Sequence, residues 1–384
     1  DETQILKKDL ENNINNSWAK FDINKRLKIL NEIANNIEEN PYELIFYLIN
    51  EAGKTIQNAI DEIREAVDFI RYYSAQAENL FLSQKLEGPT GEENIISYSP
   101  KGQFLCVSPW NFPVAILIGQ ISAALACGNK VIVKPSEHTS ILGFLVVKKF
   151  HKFGVPIDSL KLVLGNGEHG DMLTKLTSID GVAFTGSLPT AKKIQTNLIK
   201  YHDAINPLIA ETGGINAMIV DSSALLEQVT DDVIRSAFDS AGQRCSALRV
   251  LCIQEEIYDD LLMMIKGNMQ TQKIGNTNEL DTDIGPIINI EALKKLNNYI
   301  KDCQSSGYKI FQSHTKVPKQ CISPTIIEIN KISDITGEQF GPILHVLKYS
   351  SKDSNDLINK INESNYGLTL GIHSRIESDR KSVV

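Results

Sequence analysis

The stretches Phe104–Leu105–Cys106–Val107 and Lys130–Val131–Ile132–Val133–Lys134 bracket a segment, 113–127, that is rich in small and apolar residues. Short aliphatic runs without polar alternation are the pattern of strands buried on both faces, and the intervening segment has the length of a helix. The same unit repeats downstream: a helix over 139–151, a strand over 161–164, a helix over 168–176, a strand over 181–184 and a helix over 190–200. Strand–helix alternation predicts a doubly wound parallel sheet with helices on both faces.

Working outward, the first 80 residues read as helices. Ile56, Ile60, Ile63, Val67, Ile70, Tyr73 and Ala77 recur at steps of three and four, one face of a long amphipathic helix. Gly88, Pro89, Gly91 and Pro100 then mark a loop. Gly213 and Gly214 interrupt the chain on the other side, and a second alternating stretch runs from Ala217 to about Leu370. This predicts an N-terminal helical segment over 1–90, a first α/β domain over 91–212 and a second over 213–384.

With 42% hydrophobic and 22% charged residues, the 384-residue chain has the composition of a globular protein with large cores. A net charge of −8 provides no basic field for nucleic acid or anionic lipid. No apolar run has transmembrane length, and the charged segment 1–8 lacks the core of a signal peptide. The six cysteines are scattered without a CxxC pair, so neither a disulfide scaffold nor a metal site is expected. Reduced thiols fit a cytoplasmic protein.

Three segments carry residue types suited to chemistry. Phe238–Asp239–Ser240–Ala241–Gly242–Gln243–Arg244–Cys245–Ser246–Ala247 places a cysteine after a small-residue turn and beside an arginine. A thiol reacts as thiolate, and a nearby cation or backbone amides lower its free pKa of about 8.5. The plainer reading of such a cysteine is a small buried hydrophobe. Leu208–Ile209–Ala210–Glu211–Thr212–Gly213–Gly214 ends an apolar strand in a carboxylate followed by glycines. Glu211 is either a solvated strand-end charge or a base, the glycines permitting a sharp turn and close approach of substrate. Ser108–Pro109–Trp110–Asn111–Phe112–Pro113 sets an amide at the C-terminal end of a strand, where open parallel sheets bind ligands. Asn111 there is either part of a rigid turn or a neutral donor to an oxyanion.

These segments, together with Val133–Lys134–Pro135–Ser136–Glu137, Phe184–Thr185–Gly186–Ser187 and Glu338–Gln339–Phe340–Gly341–Pro342, resemble the aldehyde dehydrogenase superfamily, in its order and with its spacing from Glu211 to Cys245. The resemblance covers nearly the whole chain. Glu51–Ala52–Gly53–Lys54–Thr55, Val67–Asp68–Phe69–Ile70–Arg71–Tyr72–Tyr73, Asn216–Ala217–Met218–Ile219–Val220–Asp221–Ser222–Ser223 and Ser236–Ala237–Phe238 are similar to one branch. That branch is the glutamate-semialdehyde (pyrroline-5-carboxylate) dehydrogenase module of bifunctional proline-utilisation proteins, whose other module is a flavin-dependent proline dehydrogenase. No stretch here resembles the flavin module.

The resemblance implies an α/β fold with a Rossmann-type NAD-binding domain and an α/β catalytic domain. It implies NAD as cofactor, an aldehyde as substrate, and a proline dehydrogenase as the source of that substrate. Cys245 becomes the nucleophile, Asn111 and the Cys245 N–H the oxyanion donors, and Glu211 the base that activates water. Lys134 and Glu137 hold the adenine ribose, a carboxylate favouring NAD over a 2′-phosphate. Trp110 belongs to the same cofactor set. Ser187 meets the pyrophosphate at a helix start, Glu338 holds the nicotinamide ribose with Phe340 against it, and Ser246 contacts the substrate carboxylate. Gly165–Asn166–Gly167–Glu168–His169–Gly170 is a literal GxGxxG, yet the family does not grip pyrophosphate there, so little direct phosphate contact is expected of it. The family continues beyond the segment around Leu370 with a substrate-anchoring loop and an oligomerisation segment. This chain runs through a charged, unfamiliar stretch (375–381) to Val384, so both are expected to be missing. Two alternatives stay open: oxidation of another aldehyde, and a chain that binds NAD without turnover.

Overall fold

The computed structural model describes residues 2–12, 15–378 and 381. It divides into two compact units, 1–52 with 57–212, and 53–56 with 213–384.

In the first unit the helices α1 (Glu2–Asn12), α2 (Ile23–Glu39), α3 (Tyr42–Asn50) and α4 (Ile56–Leu80) precede the sheet. Asp22 caps α2, its side chain accepting from the Lys25 N–H at 2.9 Å. On α4 the expected stripe is buried at Ile63, Val67, Ile70 and Ala77, whereas Ile56, Ile60 and Tyr73 are half-buried. Ala59, Ala66 and a carboxylate, Glu62, join the buried face.

Strands β1 (Gln84–Leu86) and β2 (Asn94–Ile96) form an antiparallel hairpin around the segment expected to be loop only. Leu86, Ile95 and Ile96 on it are exposed, so no core-facing alternation marked it in the sequence. The main sheet contains β3 (Gln103–Val107), β4 (Lys130–Lys134), β5 (Leu160–Leu162), β6 (Gly181–Gly186) and β7 (Leu208–Thr212). They alternate with α5 (Ala115–Ala126), α6 (Ser140–Lys152), α7 (Gly167–Leu173) and α8 (Leu188–Tyr201). All five strands are parallel, in the order β5-β4-β3-β6-β7. Leu105, Cys106, Val131, Ile132 and Val133 are fully buried, as strands covered on both faces require. The order runs outward from β3 to β5, then resumes on its other side with β6. The carboxyl ends of β3 and β6 therefore flank a topological switch point, where sheets of this type open a ligand crevice.

The second unit has β8 (Asn216–Val220), α9 (Leu226–Phe238), β9 (Leu248–Gln254), α10 (Tyr258–Thr271), α11 (Ile290–Ser305), β10 (Lys309–Gln312), β11 (Thr325–Ile329), β12 (Ile343–Tyr349), α12 (Ser354–Glu363) and β13 (Leu370–His373). Its sheet runs β10-β11-β12-β9-β8-β13. Val229, Val233 and Ala237 of α9 and Leu261, Ile265 and Met269 of α10 recur at i, i+4 and i+8 and are fully buried in its core. Five strands are parallel, but β10 pairs antiparallel with β11. The connection 313–324 contains no helix, and without a crossover the chain returns in the opposite sense.

Candidate active site

The first unit holds a cleft of about 340 Å³ at its switch point. Val107 to Trp110 at and beyond the end of β3, Lys134, Ser136 and Glu137 at and beyond the end of β4, and Phe184 to Ser187 at the end of β6 line it. The loop after β3 is pinned at both ends. The Ser108 N–H donates to the Lys134 carbonyl at 3.2 Å. The buried Glu62 carboxylate accepts from the Val114 and Ala115 N–H groups at 2.8 and 3.2 Å, at the start of α5. Between these anchors Trp110 and Asn111 are half-buried. The Gln120 amide donates to the Val107 carbonyl and the Thr185 hydroxyl at 3.3 and 3.2 Å, tying β3 to β6.

Lys134 has a side chain only 5% exposed, yet its ammonium reaches the cleft wall, donating to the Pro135 carbonyl at 3.1 Å and standing 3.8 Å from Glu137. Burial pushes the Lys134 pKa below its ordinary value, and the Glu137 charge works against that shift. A donor and an acceptor at this spacing complement a vicinal diol. Ser187 caps α8, its Oγ accepting from the Thr190 N–H at 3.4 Å, so the positive end of a 14-residue helix faces the cleft. Gly167 and Gly170 of the GxGxxG segment also line it, and a Cβ at Gly170 would meet the Lys134 side chain at 3.4 Å. Asp171, Lys193 and Asn197, which sequence reading did not single out, complete that wall. Burial alone would raise the Asp171 pKa, but hydrogen bonds from Lys175, Asn197 and Lys193 outweigh it and hold the carboxyl well below its usual range. Diol complement, helix start and apolar walls together fit an adenine dinucleotide.

Glu211 lies on the exposed edge strand β7, in register with Thr185 of β6. Its charge reaches the Tyr73 hydroxyl, whose pKa is raised first by burial, then by Tyr72 and Glu211.

In the second unit, α9 runs into a turn where Ser240, Ala241 and Gly242 have φ of 53°, 54° and 63°. Three successive left-handed residues, two of them with side chains, are costly backbone, about 1–2 kcal/mol each for the non-glycines. A Cβ at Gly242 would collide with the Gly341 carbonyl oxygen, so glycine is needed there for space as well as for φ. The neighbouring side chains hold the turn. Asp239 accepts from the Ser240 N–H at 2.8 Å and pairs with Arg244 at 2.8 Å. Gln243 donates to the Pro286 carbonyl and accepts from the Ile288 N–H, at 3.1 and 3.0 Å. Asn216 donates to the carbonyls of Cys245 and Ala247 at 2.7 and 2.9 Å.

Cys245 at the end of this turn is half-buried, and Ser246 beside it is exposed. Cys106, Cys252, Cys303 and Cys321 are buried, and burial pushes the thiols of Cys106 and Cys252 up to about 12. Cys127, the other half-buried cysteine, is also pushed up by burial, with Arg26 opposing. Glu338 accepts from the Gly214 N–H at 3.2 Å and lies 3.8 Å from Arg249, whose guanidinium is 5.4 Å from the Phe340 ring centre. Burial raises the Glu338 pKa, against Arg249 and the Gly214 N–H. Gly213 and Gly214 do not have positive φ, so they are not needed for a left-handed turn. A Cβ at Gly213 would strike the Glu338 carboxylate, so the close approach that glycine permits there is that of Glu338. Among the described residues no group of three or more His, Cys, Asp or Glu is placed to hold a metal ion, and no helix is long and apolar enough to cross a membrane.

Residues 11–383 match the aldehyde dehydrogenase family. The chain belongs to that family. The chain is 44% identical over 382 residues to the bifunctional protein PutA of Escherichia coli (strain K12), covering 96% of this chain and 28% of that one. It is 32% identical to the 1-pyrroline-5-carboxylate dehydrogenase of Anoxybacillus flavithermus (strain DSM 21510 / WK1), covering 92% of this chain and 69% of the relative. It superposes with a TM-score of 0.90 on betaine aldehyde dehydrogenase of Staphylococcus aureus in complex with NAD+, at 26% identity over 96% of this chain and 74% of that one. The chain thus spans 28% of the length of the PutA protein it matches. The fold class and family read from the sequence hold. Trp110, Lys134, Glu137 and Ser187 gather in one cleft, while Cys245, Ser246, Glu338 and Phe340 lie in the other unit.

Proposed function

We propose that the chain oxidises L-glutamate 5-semialdehyde, the open form of pyrroline-5-carboxylate, to glutamate with NAD. The Cys245 loop carries this reading: a half-buried thiol follows three left-handed residues that neighbouring side chains hold in place. Strain kept by its surroundings marks functional backbone. The PutA and pyrroline-5-carboxylate dehydrogenase relatives support the substrate.

In this reading the Cys245 thiolate adds to the aldehyde carbon, and the Asn111 amide and Cys245 N–H donate to the oxyanion. NAD, when bound, supplies the hydride acceptor. Glu211 takes a proton from the water that cleaves the Cys245 thioester left by oxidation, releasing the carboxylate product and the thiol. Lys134, Glu137, Trp110 and Ser187 hold the adenosine and pyrophosphate half of the cofactor. Glu338 and Phe340 hold the nicotinamide ribose, and Ser246 contacts the substrate carboxylate. A proline-oxidising module or protein supplies pyrroline-5-carboxylate, and the carboxylate of Glu137 favours NAD over NADP.

The test is NADH formation from pyrroline-5-carboxylate beside propanal and hexanal, with NAD binding measured on the same protein. A higher kcat/KM for either simple aldehyde overturns the substrate. Tight NAD binding with no NADH from any aldehyde overturns the activity.

A further inference from the structure

Arg249 is the second residue of β9, a strand whose every residue is buried, and 1% of its side chain is exposed. Its guanidinium donates through one NH2 group to the Arg244 carbonyl at 2.9 Å and through the other to the Gly341 carbonyl at 3.0 Å. The first carbonyl belongs to the residue before Cys245; the second follows Glu338 and Phe340. The Glu338 carboxylate stands 3.8 Å away, and Nε meets no acceptor among the described residues. The Arg249 backbone is fixed in turn. His345 is neutral, because burial pushes its pKa down to about 4. Its Nδ1–H donates to the Arg249 carbonyl at 2.9 Å, and its Nε2 accepts from the Tyr299 hydroxyl at 2.8 Å.

A buried cation facing two neutral carbonyls and one carboxylate beyond hydrogen-bond distance is a poor device for stability alone. Apolar side chains of similar volume commonly serve such a place as well or better. We infer that Arg249 is a positioning residue for the Cys245 chemistry: its planar fork fixes the spacing between the nucleophile turn and the Glu338–Phe340 segment, and its charge favours the thiolate. The inference rests on the reading of Cys245 as nucleophile. Burial lowers the Arg249 pKa to about 10, while the charges of Glu338 and Cys245 oppose that drop, so the guanidinium remains a cation at neutral pH. Lysine cannot replace the fork, since one ammonium on a flexible stem does not span two fixed carbonyls.

The experiment follows iodoacetamide alkylation of Cys245 against pH in wild-type, R249Q and R249K protein, with labelled sites mapped by mass, alongside kcat, NAD affinity and Tm. R249Q is expected to raise the pH midpoint by about one unit, slowing alkylation about tenfold at neutral pH. R249K is expected to keep the wild-type midpoint but lose kcat by about tenfold with NAD affinity unchanged. A lower Tm for R249Q with an unmoved midpoint would mean a merely structural arginine and overturns the inference. If R249Q does not melt cooperatively, R249K decides: wild-type kcat overturns the inference, and reduced kcat at unchanged NAD affinity supports it. If the wild-type label falls on another cysteine, the nucleophile assignment fails and the inference with it, a result distinct from labelled Cys245 with an unmoved midpoint.

Discussion

Around the cleft of the first unit the backbone is relaxed: none of its lining residues has positive φ. Strand ends and one helix start present the polar groups there. Around Cys245 the backbone passes through three left-handed residues, and side chains from Asp239, Gln243, Asn216 and Arg249 hold it. The two regions face different physical demands. A cofactor that binds and leaves needs a surface already shaped by the sheet, whereas a nucleophile needs one fixed placement that no regular element supplies. The cleft should therefore tolerate single changes with graded losses, and the turn should not.

The largest expected effect separates the two regions directly. Cys245→Ser should lower kcat for NADH formation by on the order of 10⁴-fold or more, as loss of a covalent nucleophile does, while NAD binding measured by fluorescence titration stays at the wild-type value. A matching loss of NAD affinity would show that the two regions are not separable in function.

Two glycine substitutions sharpen the contrast. Gly242→Ala must accommodate a Cβ against the Gly341 carbonyl at a φ of 63°. It should cost about 2–4 kcal/mol of stability and most of the activity. Gly170→Ala adds a Cβ at ordinary contact distance from the Lys134 side chain, 3.4 Å, and should leave Tm within a few degrees while weakening NAD binding a few-fold. Equal losses in Tm for both variants would break the comparison.

The same contrast explains what could be read in advance. Parallel strands buried on both faces leave continuous apolar runs, so β3, β4 and β6 are legible in the sequence, whereas Trp110, Lys134, Glu137 and Ser187 beside them stand out only through the family resemblance. The holding groups left little trace. Arg249 is a single charge inside the buried run of β9, and Glu62 is a single carboxylate on the buried face of α4 between Ala59 and Ala66. A charge at an apolar position was the one signal available for either. The hairpin β1–β2 leaves no signal in the sequence because its apolar residues are exposed, and antiparallel β10 leaves none because its sense depends on a connection without a helix rather than on its own residues.

Within the cleft, Asp171 gives a pH-dependent test. Its pKa is lowered in the folded state, because hydrogen bonds from Lys175, Asn197 and Lys193 outweigh burial. A depressed carboxyl contributes stability above its unfolded pKa, and that contribution is lost as pH falls through the folded value. Asp171→Asn should therefore lower stability by about 1–2 kcal/mol at neutral pH, and the gap to wild type in urea unfolding should close as pH falls below about 4. A gap that stays constant as pH falls well below that value would show that packing, not charge, is what Asp171 provides.

The smallest expected effect lies at the mouth of the cleft. Glu137 is 48% exposed, so its charge acts through solvent and its pairing with Lys134 at 3.8 Å is worth little, of order 0.3–1 kcal/mol. Glu137→Ala should accordingly narrow the preference for NAD over NADP by roughly two- to fivefold, through removal of the charge that a 2′-phosphate meets, without abolishing binding. It should also move the alkaline limit of NAD binding. Burial already holds the Lys134 ammonium below its ordinary pKa, and Glu137 is the charge that counters this. Without Glu137 the ammonium loses its proton at lower pH, and NAD affinity should begin to fall earlier as pH rises. Isothermal titration of both cofactors across the alkaline range measures both effects. A variant that keeps the wild-type cofactor ratio and the wild-type alkaline limit would remove Glu137 from the cofactor set and leave Lys134 without a charged partner in the diol site.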